Sequence, residues 1–163
     1  MEDDSDMAES LEDLSRPEHL LVWTLRAVAV GRGDCPLIET TFNKACGPRG
    51  GQALTAYLAL VRYIGLTGRR RLRVHVPGCP CVSTDEKAIV GVVAAAQDSL
   101  CGAGEGLLKM RLRFLVEGEP HAAFILAAQT VARALKANGQ SLPSRLYEDG
   151  PADAKAPRLR VVH

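Results

Sequence analysis

The stretch Arg73–Lys87, RVHVPGCPCVSTDEK, gathers the residues of this chain best suited to chemistry. His75, Cys79 and Cys81 are a nitrogen donor and two thiols close together, beside two prolines that stiffen the turn between them. Ser83 and Glu86 then have the spacing of a helix capping box, so both thiols fall just ahead of a predicted helix N-terminus. The partial positive charge of such an end favours a thiolate, the form that ligates metal or attacks a substrate.

Two chemistries follow. A structural zinc site needs about four N or S ligands, and this turn supplies three. Cys35, also at a predicted helix start beside a proline, is the candidate fourth, giving a site of Cys35, His75, Cys79 and Cys81 with zinc as the expected cofactor. The alternative is thiol-dependent redox activity at Cys79 or Cys81, although Cys-x-Cys closes a smaller and more strained ring than the usual Cys-x-x-Cys. Against both stands the plain reading of a surface histidine and two packing cysteines. Cys46 and Cys101 read as structural thiols.

A second cluster is basic. Arg69, Arg70, Arg71 and Arg73 could form an anion-binding face for phosphate, carboxylate or nucleic acid, with Arg111 and Arg113 beside them if their segments pair. The bland counterpart is the polar face of an edge strand, where positive charge discourages aggregation. No aromatic residues interleave with these arginines, which argues against nucleic acid. The glycine-rich stretches match no phosphate-binding fingerprint, and no hydrolase, metalloprotease or paired-carboxylate motif is present, so the reading leans away from an enzyme.

The elements that must position these residues can be read from periodicity. Ser15, Pro17 and Glu18 open a helix carrying the apolar run Leu20–Val30; a second follows Asp34, and a third spans about Gly51 to Ile64. Arg71–Val76 then alternates, with Leu72, Val74 and Val76 opposed to Arg71, Arg73 and His75, which predicts a strand. A helix from about Thr84 to Leu100 follows. Residues 110–116 alternate too, although Leu108, Leu112 and Leu115 equally fit a helix face. A last helix covers about Pro120 to Ala137, and RLRV at 158–161 resembles a short strand. The expected fold is therefore α+β and helix-rich: three helices, then strand–helix–strand–helix, with an all-α bundle as the alternative.

Bulk properties set the frame. A chain of 163 residues is enough for one domain, expected over 15–139, between an acidic disordered tail (1–14) and a C-terminal tail (140–163). A net charge of +1 gives no global pull toward nucleic acid or acidic membranes. The apolar stretch Leu20–Leu25 is too short to span a bilayer, and the acidic start resembles no secretory signal. Five cysteines, an odd number, suit a reducing compartment, so a cytoplasmic location is expected. Helices that are apolar nearly all round make a homodimer a reasonable expectation.

Overall fold

A computed structural model describes residues 9–102 and 104–143. Six α-helices form: α1 Arg16–Ala29, α2 Pro36–Cys46, α3 Gly50–Thr67, α4 Thr84–Ser99, α5 Glu105–Leu115 and α6 Ala122–Ala137. Short 3-10 turns stand at Leu11–Asp13 and Gly47–Arg49. The fold is all-α, so the α+β expectation is overturned and its helical-bundle alternative fits. Among the described residues two isolated bridges, Ser10 with Cys81 and Gly68 with Val116, are the only strand-like pairings, and no sheet forms.

The reason lies in two segments. The second predicted strand is α5, because Leu108, Leu112 and Leu115 share one helix face and are buried. A strand over 110–116 would have put Met110, Leu112 and Phe114 on one side. Instead Met110 is 58% and Phe114 42% exposed while Leu112 is sealed. The first predicted strand, residues 71–76, is thereby left without a partner. It runs as an irregular strap across the bundle, with Leu72 and Val74 against the core and Arg71 and Arg73 outward. Its alternation holds for residues 71–74 and fails at Val76, expected inward and 66% exposed, and no ladder forms. The third predicted strand lies outside the described residues.

Capping chemistry accounts for several helix starts. Glu18 accepts the Ser15 N–H at 2.6 Å, and Ser83 and Glu86 cap α4 reciprocally, at 3.1 Å and 2.8 Å. At α2 Cys35, not Asp34, occupies the N-cap position without a side-chain cap bond, and Pro36 opens the first turn. His121 caps α6 by accepting the Ala123 N–H at Nδ1, 3.1 Å away.

The core is built from Val, Leu, Ile and Ala, with Phe42 and Tyr57 as the large fillers. Helix α3 packs on α2 and α6, and α4 on α1, α5 and α6. Close approach of α2 and α3 requires glycine at position 50: a Cβ there would stand 2.6 Å from the Asn43 Cα. Tyr57 satisfies its buried hydroxyl by donating to the Leu21 carbonyl at 2.8 Å. Residues Glu9–Leu14, within the stretch expected as a tail, lie along the end of the strap: Leu11 N–H donates to the Pro80 carbonyl and Val82 N–H to the Glu9 carbonyl. At the other end, Leu142 is buried with its N–H on Gln97 Oε1. Among the described residues no helix is long and apolar enough to cross a membrane.

Candidate functional site

The strap from Arg69 to Cys81 carries most of the residues singled out by sequence, and buried charge holds it. Arg26, on α1, is 1% exposed and Glu86, on α4, is 0% exposed. Arg26 Nε donates to Glu86 Oε1 at 2.7 Å and Nη2 to Oε2 at 3.1 Å, a two-point pairing suited to the planar guanidinium. Its remaining donors reach the strap: Nη1 meets the Cys79 carbonyl at 2.7 Å and Nη2 the Cys81 carbonyl at 2.5 Å. Glu86 in turn accepts the N–H groups of His75, at 3.1 Å, and Ser83. A buried ion pair is tolerable only when such hydrogen bonds satisfy both ions, and here they do.

Asp85 fixes the neighbouring part of the strap. It accepts the Arg73 N–H at 2.6 Å and both terminal nitrogens of Arg70. That hydrogen bonding raises the Arg70 pKa, a change opposed by its partial burial and aided by the Asp85 charge. Ser83 Oγ donates to the Arg73 carbonyl. The N–H and C=O of Arg73 and the N–H of His75 thus all point to the α4 end, as alternate residues of an extended chain do. Two carboxylates and a hydroxyl take the place of a neighbouring strand.

The predicted anion set divides. Arg69 Nε is spent on the Val116 carbonyl at 2.8 Å, and Arg70 is spent on Asp85. Arg69, Arg71 and Arg73 are exposed. Arg113, from the second basic pair, lies on α5 and meets Glu119.

The predicted metal set does not gather. Cys79 and Cys81 are half-buried on the strap, His75 is held by its backbone on Glu86, and Cys35 occupies the N-cap position of α2. Among the described residues no three His, Cys, Asp or Glu side chains come close enough to share an ion. Cys46 is buried and its thiol is pushed up to about 11 by desolvation. Cys101 is exposed, and Lys136 Nζ lies 3.1 Å from its sulfur.

Sequence reading missed Arg26 and saw Glu86 only as a helix cap. The available signal was a lone arginine inside LLVWTLRAVAV, an otherwise apolar run. A charge on a buried helix must find a partner, and a buried acid elsewhere was the implied one.

Beside the strap lies a groove of about 230 Å³, lined by the apolar Leu25, Val61, Ile64, Leu72, Val74 and Ile89 with Gly65, and by Arg70 and Arg71. Comparison adds no relative: no protein-family model, no curated protein and no solved structure matches the chain.

Proposed function

We propose that this protein is a recognition module for acidic partners, working through Arg71 and Arg73. The observation that supports the reading is the division of the arginine cluster. Arg70 is consumed on Asp85 and Arg69 gives its Nε to Val116, whereas the side chains of Arg71 and Arg73 stand outward with no hydrogen bond or ion pair among the described residues. Alternate residues of an extended chain lie about 7 Å apart, so the two guanidinium groups can engage carboxylates or phosphates jointly. The Arg73 backbone is held on both its N–H and its C=O by Asp85 and Ser83, so little ordering entropy is lost there on binding.

Titration of hexaglutamate into the protein tests this. We expect binding that weakens at least about fivefold between low and high salt, because exposed charges are screened. Arg71→Ala/Arg73→Ala should abolish it while leaving the helical circular dichroism intact. Equal binding by parent and variant would sink the reading.

A second reading concerns Cys79 and Cys81. Both carbonyls converge on the Arg26 guanidinium, which holds the two residues in one fixed turn. A held dithiol is suited to a soft metal such as zinc, or to reversible oxidation, with the remaining ligands drawn from solvent or a partner. Elemental analysis after equilibration with zinc, on the parent and on Cys79→Ser/Cys81→Ser, checks it. Stoichiometric zinc in the parent alone is expected; equal content in the two would refute it.

A further inference from the structure

The strap has a second edge. Arg73 and His75 turn their backbone groups toward α4, so by the alternation of an extended chain Leu72 and Val74 turn theirs the opposite way. Among the described residues, no hydrogen bond reaches the N–H or C=O of Leu72 or Val74. Both residues line the mainly apolar groove together with Leu25, Val61, Ile64 and Ile89, and Arg70 and Arg71 border it as well. An open backbone edge beside an apolar groove is the arrangement that takes up an added strand. Resting on the acidic-partner reading, we propose that the partner is an extended peptide alternating acidic and apolar residues, which adds as a strand along Leu72 and Val74.

Register follows from geometry. In an antiparallel pair, residues directly opposite each other project to the same face. An apolar residue opposite Leu72 or Val74 therefore enters the groove, and an acidic residue opposite Arg71 or Arg73 meets a guanidinium. Leu72 and Val74 offer two donors and two acceptors between them.

Charge excludes the internal alternatives. A second copy pairing RLRVHV with itself would set arginine against arginine, and so would RLRV at 158–161. The acidic residues 1–8, MEDDSDMA, do not alternate acidic with apolar side chains. They also carry few apolar residues for the groove. Nucleic acid has the charge but gives no use to the unpaired amides or the apolar lining.

The test uses the labelled peptide acetyl-EVEVEV-amide, hexaglutamate and a hexauridylate, read by fluorescence anisotropy and backbone amide exchange. We expect the alternating peptide to bind at least about tenfold tighter than hexaglutamate, as two buried valines and a backbone ladder warrant. The Leu72 and Val74 amides should become protected from exchange. Methylating the valine amide nitrogens, which face the strap, should abolish the gain, whereas methylating the glutamate nitrogens, which face away, should not. Gly65→Leu fills the groove from α3, where a Cβ meets nothing within 4 Å. It should remove the advantage of the alternating peptide over hexaglutamate.

Equal affinity of the two peptides without protection of Leu72 and Val74 would overturn strand addition and leave acidic recognition standing. Failure of both peptides to bind would overturn both. Tighter binding of hexauridylate than of EVEVEV, or concentration-dependent dimerisation that protects the same amides, would overturn the peptide as occupant.

Discussion

Arg26 and Glu86, sixty residues apart, form a buried ion pair that also carries the strap. One guanidinium closes on a carboxylate of α4 and on two carbonyls of the Cys-Pro-Cys turn. Removing it therefore does two kinds of damage. Arg26→Met leaves the Glu86 charge buried without its cation and two carbonyls without their donor, and should destabilise the fold by about 3–5 kcal/mol. That is a large share of the ~5–15 kcal/mol of an ordinary domain. Adding Glu86→Gln removes the stranded charge, so the double variant should be more stable than Arg26→Met alone. Urea unfolding midpoints check both. A single variant within about 1 kcal/mol of the parent would mean that the pair contributes no net stability, contrary to its geometry.

That pair also marks where sequence reading stopped. The Ser83–Glu86 box was legible because capping is local: both partners lie within one turn. The strap was legible in part. Its alternation placed Leu72 and Val74 inward and Arg71 and Arg73 outward but failed at Val76, which is 66% exposed, and a strand needs a neighbour. Its neighbour here is the carboxylate pair Asp85 and Glu86, which no periodicity encodes. Residues 108–116 satisfied two periods at once, because Leu112 belongs to both patterns. Only the burial of Leu108 and Leu115 together with the exposure of Met110 and Phe114 separates them. The cysteines were grouped by residue type and chain proximity. Placement divides them, because the Cys79 and Cys81 backbones are committed to Arg26 while Cys35 occupies the N-cap position of another helix.

Alkaline pH should weaken the fold through Cys46. Burial holds its thiol at about 11, against an ordinary value of 9.0. The unfolded chain therefore loses this proton first, and between those values the folded state binds more protons than the unfolded one. Stability from this group is fully present below about pH 9 and declines as pH rises toward 11. The buried Tyr57 hydroxyl is pushed up as well, by desolvation first and by the Glu86 charge second, and acts in the same direction at higher pH. Denaturant unfolding at intervals over the range should show the fall, and Cys46→Ala should flatten its first part. In the native fold at neutral pH, Cys101 should react with a thiol reagent well before Cys46, since one is exposed and the other 2% exposed. A Cys46→Ala variant with an unchanged alkaline slope would refute the assignment.

Asp85→Asn separates two ways in which the strap could attract an acidic partner. If net charge alone governs binding, removing a carboxylate and releasing Arg70 should strengthen the interaction with hexaglutamate. If the fixed placement of Arg71 and Arg73 governs it, binding should weaken, because the amide at position 85 offers one acceptor oxygen where the carboxylate served three N–H groups. We expect the second outcome, with affinity falling roughly three- to tenfold as the strap regains the freedom that preorganisation had removed. Amide exchange provides the independent measure. The Arg73 N–H, now bonded to Asp85 at 2.6 Å, should exchange faster in the variant, while amides in the middle of α3 keep their protection. Faster exchange at Arg73 with tighter hexaglutamate binding would assign recognition to charge and not to the geometry of the strap. Unchanged exchange would show that Glu86 and Arg26 hold the segment without Asp85.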